Sequence, residues 1–371
     1  MQRLGPLFAD RCVTGPLLIQ YFELFGAHFY FIGESHVLNG RDDTNAHHVI
    51  EQLKTYGKTN RVVCYCEATE NDIQYNAYHL EERMYLRNTK NILDVATSPL
   101  NAYIGYAHVR KELGNCETVC SEIRRYPPFD VYTMMVRPIA YMLDRYNTMM
   151  NPEIETKVRK WSKLAEKMII KHIATRDQAK WFLESLCLAN LDYPKWFVQL
   201  YEKIHETKDQ PLPTPLRVKM HRLREQNVAL YDRVVVHIRS YYENWAVTPY
   251  TAAIEKIEDM RHTAASKVVA QTDTDTFRVF VELTTFLFDI SVILDVLLNE
   301  HQIKQGNTVV VLAGAAHAEH LASFFEPLVG NDKMCHKYGA NGVLPAGPPL
   351  SGIHNFQRSI PRRLRQLAAT S

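Results

Sequence analysis

The sequence predicts an α/β protein: a mostly parallel sheet core with helices on both faces and a large all-helical insertion. Two apolar runs near the start, Ala27–Ile32 and Arg61–Cys66, alternate with segments of helical spacing. From about Tyr132 to Thr207 the period is helical and strand signals are few. A further apolar run, Asn307–Ala313, leads directly into another helical segment. Strand–helix alternation of this kind builds a parallel sheet whose helices cover its faces.

Each element has a local reason. Ala27-His28-Phe29-Tyr30-Phe31-Ile32 is aromatic and β-branched and stops at Gly33. Thr44–Tyr56 places Ala46, Val49, Ile50 and Leu53 at helical spacing. Arg61–Cys66 is a second strand, followed by polar Glu67 and Thr69 and a helix over Asp72–Leu86. Asn91–Val95 and Ala102–Leu113 read as helical pieces, and Glu117–Ile123 as a third strand stopped by Arg124-Arg125-Tyr126-Pro127-Pro128. Pro211, Pro213 and Pro215 make Asp209–Pro215 a stiff, extended connector, because each fixes φ and lacks a donor. Helices resume over Pro215–Ala246, Tyr250–Val269 and Phe277–Leu298, and the helix after the last strand runs through Phe325. The expected organisation is a first half of the core over 1–130, a helical insertion or lid over 131–270, a second half over 271–330 and an extended C-terminal arm over 331–371.

Composition narrows the function classes. Of 371 residues, 46% are hydrophobic and 23% charged, the balance of a globular protein with an ample core. A formal net charge of +2 gives no global field for nucleic acid, so such a role would fall to the basic tail Arg358–Arg365. Seven cysteines, an odd number in a long chain, argue against a secreted disulfide scaffold. The start does not read as a signal peptide, and the expected compartment is reducing and cytoplasm-like. Arg278, Glu282, Asp289 and Asp295 argue against a membrane span in Phe277–Leu298; the two aspartates are expected on the wet stripe of an amphipathic helix, with a buried polar group that supports the site as the alternative for Asp289, which Phe288 and Ile290 flank. Cys64, Cys66, Cys116 and Cys120 are expected in the core rather than on zinc. Trp196, Phe197, Leu200, Tyr201 and Ile204 form a helical stripe of core or partner type. Phosphate-loop, dinucleotide-loop, nucleophile-elbow and His-Glu-x-x-His motifs are absent from the sequence.

In an open α/β sheet, ligands bind beyond the carboxyl ends of the strands. The first expected strand ends at Glu34 and His36, the second at Glu67, the third at Glu122 and Arg124, and the last at His317, with Glu319 and His320 behind. Histidine suits proton transfer or metal ligation, and carboxylates can orient it, activate water or bind a cation. Arg124 could hold a substrate anion, and His47 and His48 could reach the site from the next helix. Gly314, Ala315 and Ala316 would let backbone N–H groups approach a ligand at a helix start.

Phe31-Ile32-Gly33-Glu34-Ser35-His36, with His47-His48 leading a helix soon after, resembles the opening motif of the ChaN-like, erythromycin-esterase-like and TraB/Tiki superfamily. That pattern continues with a strand ending in Glu, here Val63–Glu67, and a strand leading into Gly-x-x-His, here Val309–His317. The resemblance spans roughly residues 20–130 and 275–330 and leaves the helical middle uncovered. It implies a βα core whose motif residues meet at one site, with His36 as general base on water, Glu34 and Glu67 as orienting or metal-binding carboxylates and His317 as the second essential histidine. It also implies a divalent metal ion on His36, Glu67 and His317 as an alternative, and a basic residue near Arg124. Tiki-like members are metal-dependent proteases and ChaN-like members bind haem.

Three readings follow. The first is a hydrolase acting on a small molecule or peptide, with or without a divalent metal. The second is a non-catalytic binding or structural module, for example a virion or assembly component. The third and weakest is a haem-binding protein using His36 and His47, since the lipobox and anchor of the haem-binding and membrane-anchored branches are not evident. Oligomeric state is open.

Overall fold

The structure is a computed structural model that describes residues 6–8, 18–24, 26–34, 40–74, 99–131, 171–173, 176–244, 274–299, 306–329 and 335–338. Contacts divide the chain into two compact units, Met1–Glu122 with Asn299–Ser371, and Ile123–Leu298.

The first unit is α/β. Its elements are β1 (Leu18–Leu24), β2 (Ala27–Glu34), α1 (Gly40–Gly57), β3 (Val62–Cys66), α2 (Pro99–Val109), β4 (Cys116–Cys120), β5 (Thr308–Gly314), α8 (Ala315–Val329) and β6 (Cys335–Tyr338). The helices described between β4 and β5 belong to the second unit. The sheet order is β4-β3-β5-β2-β1-β6. Strands β4, β3, β5 and β2 run parallel, whereas β1 pairs antiparallel with both β2 and β6.

Strand β5 inserts between β2 and β3, so Thr308–Gly314 is buried along its whole length. A parallel strand covered on both faces needs an unbroken apolar run, which Val309–Ala313 supplies. The pleat sorts its neighbours. Tyr30, Ile32, Cys64, Cys66, Val310 and Leu312 face a core shared with Val49, Ile50 and Leu53 of α1 and Leu100 and Ile104 of α2. Phe29 and Phe31 project the other way, where Phe325 of α8 lies 6.2 and 5.6 Å from their ring centroids and Phe22 joins the stack.

Two strands escaped the sequence reading. Strand β1 is interior, its residues Leu18–Phe22 are all buried including Gln20, and it therefore shows no alternation to read. It joins β2 through Gly26, whose φ of 76° favours glycine. Strand β6 has four residues and too little pattern to register. The third strand is shorter than expected and ends at Cys120.

The described part of the second unit is helical: α3 (Arg176–Cys187), α4 (Lys195–His205), α5 (Pro215–Gln226), α6 (Val228–Asn244) and α7 (Thr274–Leu298). Pro215 opens α5 at a position where its missing N–H costs nothing. The helical stretch from Pro215 breaks at Asn227, which is extended (φ −154°) and accepts the Leu230 N–H on Oδ1 at 3.1 Å, capping α6. Phe197, Leu200 and Tyr201 of the aromatic stripe are buried.

One expectation needs correcting here. Asp295 is partly exposed and pairs with Lys219 at 2.7 Å, but Asp289 is fully buried and lies on no wet stripe. Neighbours around this stretch of α7 explain this, since Phe286–Ser291 are all buried. Among the described residues no helix is long and apolar enough to cross a membrane.

Candidate functional site

The parallel strands β2, β3, β4 and β5 present their carboxyl ends along one edge of the sheet. Register sets Glu34 opposite Gly314 and Cys66 opposite both Leu312 and Cys120. The ladder continues past β3, because the Glu67 N–H donates to the Leu312 carbonyl at 3.1 Å. Glu67 is thereby fixed at the point where β5 turns into α8.

At that point α8 starts with no intervening loop: β5 ends at Gly314 and the helix begins at Ala315. The close approach depends on Gly33. A Cβ there would lie 2.6 Å from the Cα of Ala315 and 3.1 Å from the Cβ of Ala318. The Gly314 N–H donates to Oε2 of Glu67 at 2.9 Å. Oε1 of the same carboxylate lies 3.1 Å from Nε2 of His317, one turn into the helix. The pair is buried, with side chains 9% and 5% exposed respectively. Where this carboxylate is ionised it only accepts, and the imidazole then donates from Nε2.

The small residues at the helix start were expected to open N–H groups to a ligand; the Gly314 N–H instead holds Glu67. An anion at a helix N-terminus is favoured by the dipole, and here the chain supplies its own.

Glu34 does different work. Its Oε2 accepts the Leu100 N–H at 3.0 Å, near the start of α2, where orphan donors need a partner. It shares the parity of Tyr30 and Ile32 and so lies on the α1–α2 face, while Glu67 turns to α8. The two carboxylates stand on one edge but on opposite sides of the pleat. Asn101, the residue after Leu100, donates from Nδ2 to the Glu67 carbonyl at 2.8 Å. It is a buried site neighbour that the sequence reading did not name; the one signal was an amide near the start of the helix after Pro99.

The local chain after Glu67 is held by a capping box. Thr69 Oγ1 accepts the Asp72 N–H at 3.1 Å, and Asp72 Oδ2 accepts the Thr69 N–H at 2.9 Å. The pattern Thr69-x-x-Asp72 was readable in the sequence. Glu122 is buried beyond β4, and its N–H donates to the Ala68 carbonyl at 3.4 Å.

The remaining candidates are placed as follows. Ser35 and His36 lie outside the described residues, as do Asn91–Val95, Tyr250–Val269 and the tail Arg358–Arg365. His47 and His48 are exposed on α1; His47 faces Glu51 at 3.8 Å and the Tyr103 ring at 5.2 Å. Arg124 belongs to the second unit, where its guanidinium sits 5.7 Å from the Phe288 ring. His320 is buried on α8.

Among the described residues, no three His, Cys, Asp or Glu side chains converge to hold a metal ion. Glu67 and His317, two of the three expected ligands, turn their facing atoms to each other. The thiols of Cys64 and Cys66 lie 3.8 Å apart in the core; hydrogen bonding to Cys116 and Cys66, with burial, pushes the Cys64 thiol well up.

No family model, curated protein or solved structure matches the chain.

Proposed function

We propose that the chain is a hydrolase of the type suggested by its Gly-Glu-x-His, Glu and Gly-x-x-His motifs, with Glu67–His317 as the proton-transfer pair. The substrate class is a small-molecule or peptide ester, amide or phosphoester. The observation that carries this reading is the buried 3.1 Å contact between Glu67 and His317 beyond the carboxyl ends of parallel strands. Glu67, held by the Gly314 N–H, fixes the ring's orientation and proton. The imidazole of His317 then takes a proton from water as the hydroxide equivalent attacks, and returns it to the leaving group. In the superfamily resemblance, His36 would be the base on the water and Glu34 a carboxylate of the same site. The hydrogen bond from Leu100 favours an anchoring role for Glu34.

A screen of ester, amide and phosphoester substrates tests the proposal. Wild type is expected to turn over at least one class, and His317→Ala and Glu67→Gln to lose that activity by two orders of magnitude or more, about the scale of a general base. Undiminished turnover in His317→Ala would end this reading.

A second reading, a binding or structural module, draws on one observation: both Glu34 and Glu67 accept backbone N–H groups at helix starts. It predicts no turnover in wild type and a lower melting temperature in both carboxylate variants.

A further inference from the structure

Glu67 stands where the β3–β5 ladder is due one more rung. In a parallel pair, a residue's N–H and C=O bond to two residues of the neighbouring strand, one on either side of it. Glu67 gives its N–H to the Leu312 carbonyl at 3.1 Å, so its own carbonyl is due the N–H of Gly314, two residues on. That donor goes elsewhere: the Gly314 N–H bonds Oε2 of the Glu67 side chain at 2.9 Å. The Glu67 carbonyl is met instead by Nδ2 of Asn101, at 2.8 Å, from the first turn of α2. A carbonyl only accepts, which fixes the end of the Asn101 amide that faces it. Asn101 is buried, and an unmet carbonyl in such a place carries its full desolvation cost. The residue before it, Leu100, bonds Glu34, so two adjacent residues of α2 secure the ends of β2 and β3.

We propose that Asn101 is the positioning residue of the Glu67–His317 pair: by taking over the Glu67 carbonyl, it releases the Gly314 N–H to hold the carboxylate. Oε2 is then tied to the start of α8, and Oε1 faces Nε2 of His317 at 3.1 Å. Without Asn101, the buried main-chain carbonyl and the carboxylate compete for one N–H. The rung then closes, the carboxylate loses its tether, and the imidazole loses the partner that orients it. Asn101 thus acts through Glu67, and small displacements of such a partner are enough to slow a proton transfer.

The proposal rests on the hydrolase reading for its catalytic consequence, and two measurements on Asn101→Leu separate their failures. Leucine keeps the branched shape and lacks the donor. The first measurement is a pair of crystal structures of the full chain, wild type and variant. In the variant, the Gly314 N–H is expected on the Glu67 carbonyl, with Oε1 of Glu67 more than about 3.5 Å from Nε2 of His317. A variant that keeps the Gly314 N–H on Oε2 and the imidazole in contact overturns the proposal. The second is kinetic: kcat about tenfold lower with KM unchanged, on whichever substrate the screen yields, is the expected split. A lower melting temperature with kcat unchanged makes Asn101 merely structural and overturns the proposal, as does a raised KM at unchanged kcat. Should Asn101→Leu fail to fold, Asn101→Ser, whose hydroxyl stands one bond short of the amide nitrogen, takes its place on the same two readings. If wild type turns over nothing, the hydrolase reading fails, and the crystal structures alone decide whether Asn101 positions the pair.

Discussion

Glu67 and His317 are separated by 250 positions in sequence and meet at 3.1 Å, Oε1 to Nε2. The contact exists because β5, arriving late in the chain, inserts between β2 and β3. It places Leu312 where it accepts the Glu67 N–H, and starts α8 three residues later. Three expected effects follow from this corner of the sheet.

His317→Ala leaves Oε1 of Glu67 without its imidazole in a buried setting. It is expected to cost about 1–3 kcal/mol of stability, and Glu67→Ala more, since that change also strands the Gly314 N–H. Urea denaturation of the three proteins gives the order directly. Equal stability of both variants with wild type would mean the pair is not made.

Glu34→Ala removes the acceptor of the Leu100 N–H, and should cost about 0.5–2 kcal/mol, as loss of a helix N-terminal partner does. Hydrogen exchange is expected to quicken first at Leu100 and the opening turn of α2. Unchanged protection there would show that Glu34 does not anchor this helix.

Gly33→Ala drives a methyl group to 2.6 Å from backbone of α8, which cannot yield as a flexible side chain would. Overpacking of this kind costs about 1–3 kcal/mol. A lowered melting temperature is expected, together with weakened turnover, because the start of α8 carries both the Gly314 N–H and His317.

Acid sensitivity has a different source. Lys54 of α1 bonds Glu112 at 2.7 Å, and that hydrogen bond, joined by Arg110, holds the Glu112 carboxyl below its ordinary 4.5. A depressed carboxyl stabilises the fold fully above its unfolded pKa and loses that contribution as pH falls through the folded value. The urea midpoint of wild type should therefore drop below about pH 4.5, and by less in Glu112→Gln. Glu112 is partly exposed, so the difference will be small and will shrink further with added salt. Identical acid limbs would refute the assignment.

Thiol chemistry reports on the core. Burial pushes the Cys187 thiol up to about 12, and Cys64 and Cys66 are fully buried in the sheet. At pH 8 these three should resist an aromatic disulfide reagent in the native protein and react only in denaturant, as read by mass spectrometry of labelled peptides. Fast native labelling of Cys64 or Cys66 would contradict the burial of β3.

Much of this architecture was legible in local pattern. The runs at Ala27–Ile32, Arg61–Cys66 and Asn307–Ala313 announced β2, β3 and β5, because short β-branched and aromatic segments ending in Gly or a polar residue have few other uses. Helix α1 showed itself through Ala46, Val49, Ile50 and Leu53. Strand β1 stayed hidden because it is interior and Gln20 is buried with its neighbours, which erases alternation. The burial of Asp289 could not be settled from pattern, since Phe286–Ser291 are buried at every position and that stretch shows no polar stripe.

By itself, the sequence determined which residue types stand at strand ends: Glu34 after Ile32-Gly33, Glu67 after Cys66, and His317 one turn past Gly314. Parallel strands running in one direction put those ends on a common edge. Only the tertiary structure decided how the edge is divided. Strand order makes β5 the neighbour of β3, and the pleat then sends Glu67 toward α8 and Glu34 toward α2. Side-chain parity is visible in a sequence, but the helix that covers each face is not, because that depends on contacts between elements far apart in the chain.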